Sequence, residues 1–244
     1  MPRSNGNENA LFDEALALTK ELGFDYLGFG IQLNTVVNLS TLVKHVLSYL
    51  DRHVADPNKS IVLFDNHPPG VMEIFKKEFA HDDPLIKHAR RSIEILVWSD
   101  AVFADQPTRM DLMRRFGLAH GLSQPSRSQT GSVALANFTR TLGEISVEEL
   151  NAKRPKISML TSIFHTELEA ILMQKFAPPL PQLSSEDKAI LRWAALGHPA
   201  SEIATILGMK ERAVTLRKKT MAQELNARNF AQAMLIAASL NLLH

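Results

Sequence analysis

The sequence predicts an α+β chain in two parts: an N-terminal α-β-α sandwich with an antiparallel sheet, then a C-terminal all-α, four-helix helix-turn-helix domain. Three observations predict it. Apolar residues before position 177 switch between helical spacing and short strand-like runs. Three prolines in four positions, in Ala-Pro-Pro-Leu-Pro-Gln over 177–182, then stop a long helical pattern and favour extended geometry. Beyond them come a short helix, a glycine turn and a longer basic helix. The expected organisation is a domain over 1–176, a linker at 177–182 and a domain over 183–244.

The elements follow in order. Leu11, Ala15, Leu18 and Leu22 mark an amphipathic helix ended by Gly23, and Phe24 to Leu33 reads as a strand. Leu42, Val43, Val46, Leu47 and Leu50 mark a second helix. Ser60 to Phe64 is a strand, and Val71, Ile74, Phe75 and Phe79 mark a third helix. Ser132 to Thr139 is a further strand, entered through the hairpin-like turn Gln129-Thr130-Gly131. Met159, Leu160, Ile163, Phe164, Leu168, Ile171 and Leu172 recur at helical spacing, with Pro155 expected near the start of that helix, where a missing N–H costs nothing. Helices on both sides of a run of strands give the sandwich.

The 244 residues are 45% hydrophobic and 22% charged, which argues for a packed core and against disorder. With no cysteine, disulfides, thiolate metal sites and cysteine nucleophiles are excluded. The N-terminus MPRSNGNENA has no apolar core of a signal peptide. The longest apolar stretch, Ala233 to Leu243, is too short to span a bilayer. A cytoplasmic protein without membrane contact is expected. The net charge of +1 divides as +3 from Ala177 onward and −2 before it, consistent with phosphate contact by the C-terminal part alone. The chain contains no P-loop, Gly-x-Ser-x-Gly, His-Glu-x-x-His or Gly-x-Gly-x-x-Gly sequence, so no enzyme and no cofactor are expected. His81-Asp82-Asp83 are adjacent residues that diverge, which suits surface charge better than a metal.

In the C-terminal part, Ser184 or Ser185 caps a helix whose first turn carries Glu186 and Asp187, where the helix dipole favours negative charge. Ile190, Leu191, Trp193 and Ala194 form its apolar face. Ser201 to Leu207 is a short second helix, Gly208 the turn, and Glu211 to Leu225 a third helix with Val214, Met221 and Leu225 on one buried stripe. Arg212, Thr215, Arg217, Lys218 and Lys219 are expected on the face toward DNA, with this helix in the major groove. A plain helical bundle with solvated basic residues is the alternative reading of the same pattern.

The segment resembles the LuxR-type helix-turn-helix family. The resemblance rests on Leu183-Ser184, Asp187, Leu191, Trp193, Gly197, Glu202-Ile203-Ala204, Leu207, Ala213-Val214, Glu224-Leu225 and Gln232-Ala233. It departs at Lys210, Ala213, Arg217 and Glu224, where the family has a Ser/Thr cap, Thr, His and Lys, and Arg217 would supply a phosphate contact. The resemblance implies double-stranded DNA as partner, a palindromic site and a homodimer paired through the last helix by Phe230, Ala233, Ala237 and Leu240. Packing within the domain is the other role open to that face.

The order of the two parts also resembles the quorum-sensing branch of the family, whose N-terminal domain binds an N-acyl homoserine lactone. Asp83-Pro84, Trp98 fifteen residues later, and Phe116 to Pro125, matching a glycine-rich turn, carry that resemblance. It implies a buried Asp83 that accepts a hydrogen bond from a ligand amide, Trp98 as an aromatic wall, and Asn137 against a ligand carbonyl. Without the resemblance, Asp83 reads as a plain turn residue and Trp98 as core. Gly70 and Ile74 stand where the branch has Trp and Tyr, so two donors to ligand carbonyls are missing. The sequence therefore reads as a transcription regulator under a small signal, a lactone or a related compound. The alternative is a ligand-independent regulator or a partner-binding antagonist that keeps the fold.

Overall fold

The computed structural model describes residues 7–33, 55–56, 61–78, 82–176, 183–239 and 242–243. The helix expected over Leu42–Leu50, the 177–182 linker, Phe79 and Leu240 lie outside them. The chain divides into two compact units between Phe176 and Ala177.

The N-terminal unit runs α1 (Glu8–Glu21), β1 (Tyr26–Gln32), β2 (Ala55–Asp56), β3 (Ile61–Asp65), α2 (Val71–Glu78), α3 (Pro84–Ala89), β4 (Leu96–Val97), α4 (Pro107–Arg115), β5 (His120–Arg127), β6 (Val133–Arg140) and α5 (Val147–Phe176). The six strands form one sheet in the order β2-β3-β1-β6-β5-β4, every described pairing antiparallel. Asn7 caps α1, its side chain accepting from the Asn9 N–H at 3.0 Å, and Gly23 ends the helix region at φ +82°. Strand alternation sorts the sheet into two faces. Leu27, Phe29, Ile31, Val62, Phe64, Ala134, Ala136 and Phe138 are buried on the face toward α1 and α5. There Phe164 of α5 meets Phe29 edge-on, with ring centroids 4.4 Å apart, and Phe12 of α1 lies 5.7 Å from Phe64. Val71, Leu85, Trp98, Phe103, Met110 and Met113 gather on the other face with Leu135. The result is the helix-sheet-helix sandwich the periodicities predict.

Three expectations are corrected. First, α5 begins at Val147, not near Pro155, and Pro155 lies inside it. Ser146 starts the helix earlier, its hydroxyl accepting from the Glu149 N–H at 3.1 Å, and Glu148 and Glu149 suit the dipole of the first turn. Second, Met159 is exposed rather than on the apolar stripe, which runs through Ile157, Leu160, Phe164, Leu168, Ile171 and Leu172. Third, the stretch read as a glycine-rich turn holds the strand β5, with Pro125 inside it. Gly121, on the same parity as Pro125, accepts from the Trp98 N–H on the β4 side. The missing N–H of Pro125 therefore faces that side, where β4 has already ended after pairing only Leu122 and Ser123.

The C-terminal unit comprises α6 (Ser185–Ala195), α7 (Ala200–Leu207), α8 (Glu211–Glu224) and α9 (Phe230–Ser239). Ser184 and Asp187 form a complete capping box on α6. Gly208 closes α7 at φ +65°, a left-handed turn that suits a residue without Cβ. Ile190, Leu191, Ile203, Val214, Met221, Leu225, Ala233, Ile236 and Ala237 make one buried cluster.

Candidate ligand site and nucleic-acid interface

On the α2–α4 face of the N-terminal sheet, register sets one row across five strands, Asp65, Gly28, Asn137, Ser123 and Leu96, with polar side chains at Asp65, Asn137 and Ser123. Tyr26, Thr139 and Gly121 form the next row. The glycines let neighbours press against the sheet. A Cβ on Gly121 would lie 2.7 Å from Trp98 Cε3, and one on Gly28 3.1 Å from His67 Cε1. Gly28 and Gly30, two apart in the run Tyr26–Gln32, were the sequence signal of such a close approach.

The structure joins two of the expected residues. Trp98 Nε1–H donates to Ser123 Oγ at 2.8 Å, and the Ser123 hydroxyl donates to Asn137 Oδ1 at 2.6 Å. Ser123, missed in the sequence, is therefore the link between them. A second polar group sits in the adjacent row. His67 Nδ1 pairs with Asp65, its Nε2 lies 2.8 Å from Thr139 Oγ1, and its ring stacks on Tyr26 at 5.4 Å.

Asp83 is buried, and its carboxylate is already engaged. It caps α3, accepting from the Leu85 N–H at 2.8 Å, and Arg109 of α4 donates to its two oxygens at 2.9 and 3.4 Å. The Arg109 guanidinium lies 4.7 Å from the Phe75 ring centroid and 4.5 Å from that of Phe103. Burial lowers the Arg109 pKa, against which the Asp83 charge and hydrogen bond act. Phe103 in turn meets Trp98 edge-on at 6.0 Å, so Arg109, Phe103, Trp98, Ser123 and Asn137 form a continuous set of contacts. Nothing in the spacing of the sequence marks Arg109, because its partner lies 26 residues away and α4 is otherwise an ordinary amphipathic helix.

Gly70 and Ile74 part company. Ile74 is half-buried on α2, beside Phe75. Gly70 precedes the helix rather than standing on it: it is exposed, at φ +87°, its carbonyl accepting from the Ile74 N–H, with nothing within 4 Å of where a Cβ would be.

In the C-terminal unit the exposed face of α8 carries Arg212, Thr215, Leu216, Lys219 and Gln223. Two residues expected there are elsewhere. Arg217 donates to the buried Asp187 carboxylate and, at 3.3 Å, to Ser184 Oγ, clamping α8 to the start of α6. Lys218 is four residues after Val214 and three before Met221, which puts it on the buried side; its ammonium lies 5.1 Å from the Phe230 centroid. The face of α9 expected to pair subunits is corrected likewise. Ala233 and Ala237 are fully buried in the unit's own core, and Phe230 packs against it. The outward residues are Ala231, Leu235 and Ala238 at i, i+4 and i+7, with Leu235 63% exposed.

Comparison with known proteins bears on both units. Residues 7–168 match the family model described as an autoinducer binding domain, and residues 181–237 match that of bacterial regulatory proteins, luxR family. The transcriptional activator protein AnoR of Acinetobacter nosocomialis is 29% identical over 241 residues, 97% of this chain and 93% of the relative. The crystal structure of Escherichia coli SdiA superposes with a TM-score of 0.73 at 21% identity, covering 98% of this chain and 92% of that one. SdiA in complex with octanoyl-rac-glycerol gives 0.71 at 23% identity, covering 98% and 90%.

Proposed function

We propose, from the premise that this chain belongs to the luxR family of bacterial regulatory proteins with an autoinducer-binding domain, that it binds a palindromic DNA site as a homodimer under control of a small acyl signal. The observation that carries the DNA half is the α7–Gly208–α8 arrangement. It leaves Arg212, Thr215 and Lys219 on a solvent face while Val214 and Met221 anchor the same helix from behind. Arg212 and Lys219 supply charge for phosphate and base edges, and Thr215 a hydroxyl. Ala231, Leu235 and Ala238 supply the subunit contact, in place of the buried Ala233 and Ala237. A two-fold pair of recognition helices then calls for two half-sites.

The signal binds on the α2–α4 face of the N-terminal sheet, where Trp98, Ser123 and Asn137 form one hydrogen-bonded line. A ligand that binds the folded unit alone stabilises it by mass action and raises the amount of protein able to dimerise. A second reading, a ligand-independent regulator or partner-binding antagonist, draws on the Asp83–Arg109 pair, which satisfies the buried carboxylate without a ligand. Selection from random duplexes tests the DNA half. Enrichment of a two-fold symmetric site is expected, with Lys219→Ala lowering the slope of log affinity against log salt by about one. Absence of enrichment from the wild-type chain would refute the proposal.

A further inference from the structure

Asp83 and Arg109 carry a consequence for which signals fit. The Asp83 side chain is 4% exposed and that of Arg109 3%. Oδ1 already accepts two hydrogen bonds, from the Leu85 N–H and from Arg109, while Oδ2 faces the second guanidinium nitrogen. The guanidinium is held by more than its ion pair. Phe75 and Phe103 each offer it a ring, and it also donates to Gln106 Oε1 at 3.1 Å, whose amide donates to the Asp82 carbonyl at 3.1 Å. To reach Asp83 as a donor, a ligand N–H would have to share an oxygen with a guanidinium, or push a buried, ring-stacked cation away from Asp83. Either route weakens the bond that an amide needs when it leaves water.

The rest of the site has the opposite character. Asn137 uses its carbonyl oxygen on Ser123, and its amide nitrogen has no partner among the described residues. The same holds for the Tyr26 hydroxyl. Trp98 Nε1–H is engaged by Ser123. The Asn137 NH2 is a free donor among the described residues and the Tyr26 phenol can donate as well, while three of the about four acceptor positions of the Asp83 carboxylate are taken, two of them by a guanidinium.

We infer that Arg109 is a specificity-determining residue: it takes the place of a ligand N–H at Asp83, so the site selects an acyl compound with an ester or ketone head, made of acceptors, over one with an amide. The inference rests on the reading of the N-terminal unit as an acyl-signal sensor.

The test compares two probes that differ only in the linking atom, α-octanoyloxy-γ-butyrolactone (an ester) and N-octanoyl homoserine lactone (an amide), against the full chain by titration calorimetry. The proteins are wild type, Arg109→Met and Arg109→Gln; the Gln variant keeps one hydrogen bond to Asp83 if the Met variant is insoluble. Wild type is expected to bind the ester at least about tenfold more tightly than the amide. Either variant is expected to gain at least about tenfold for the amide, with the ester changed less than about threefold. Equal or tighter amide binding by wild type overturns the inference while leaving the sensor reading intact, as does a variant that shifts both probes equally. If no protein binds either probe, the sensor reading itself falls, and the inference with it. If neither variant folds, the wild-type preference alone decides.

Discussion

Arg217→Met separates a structural clamp from a DNA contact. The substitution keeps the aliphatic stem and removes the guanidinium. Asp187, 1% exposed, is then left with Ser184 as its partner, through contacts of 3.1 Å from the backbone N–H and 2.7 Å from the hydroxyl. Orphaning a fully buried ion-pair partner costs about 3–5 kcal/mol. The Arg217 side chain is 36% exposed, so water screens the pair, and a loss of about 2 kcal/mol is expected. For a unit of this size that is a fall in melting temperature of about 10 °C. Hydrogen exchange of the full chain, read by mass spectrometry, localises the loss: amides of α6 and α8 lose protection, while those of β1, β5 and β6 do not. The salt slope of DNA binding, measured well below the transition, stays within about 0.3 of wild type. A variant with unchanged stability and a slope reduced by about one would show that Arg217 meets phosphate, and the clamp would be wrong.

Gly121→Ala places a methyl 2.7 Å from Trp98 Cε3 and 2.9 Å from Thr139 Cγ2; it should cost about 1–3 kcal/mol and red-shift the Trp98 emission as the ring leaves Ser123. An unshifted spectrum with wild-type stability would contradict the packing. Leu235→Asp should shift the chain toward monomer in analytical ultracentrifugation without lowering its melting temperature, since Leu235 lies outside the core; an unchanged dimer would move the interface elsewhere. Acid should destabilise the N-terminal unit in two steps. Burial lowers the pKa of His165, which lies between Ser126 and Ser132, so below about pH 6.5 the unfolded chain takes up the proton first and stability declines. The Arg140 hydrogen bonds and the Lys153 pair hold Glu149 at about 2, so its contribution is complete above the ordinary carboxylate range and is lost as pH falls from about 4 toward 2. His165→Gln should remove the first step in urea titrations across pH and leave the second.

Much of the architecture was legible before any coordinates. Periodicity marks the buried residues Ile190 and Leu191 of α6 and the stripe Val214, Met221 and Leu225 along α8, because a helix repeats its faces every 3.6 residues regardless of what covers them. Turn chemistry did the same at Gly131 and Gly208. The domain-level identity was also readable, since Trp193, Gly197, Glu202-Ile203-Ala204 and Val214 stand close together in sequence. Where local reasoning failed, either a neighbouring strand or a capping side chain had intervened. Pro125 is tolerated in β5 because β4 stops short beside it, and the helix start at Val147 depends on a cap at Ser146 that the apolar pattern does not register.

The sequence by itself determined the two-part α+β organisation, the helix-turn-helix and the presence of Asp83, Trp98 and Asn137 as candidate ligand residues. Tertiary structure alone decided what each charged group is occupied with. Asp83 meets Arg109 across 26 positions, Arg217 meets Asp187 across 30, and Trp98 reaches Asn137 only through Ser123 on a neighbouring strand. The physical reason is that hydrophobic periodicity is a property of one element, whereas a buried charge must be answered by whichever partner the fold brings within hydrogen-bond reach.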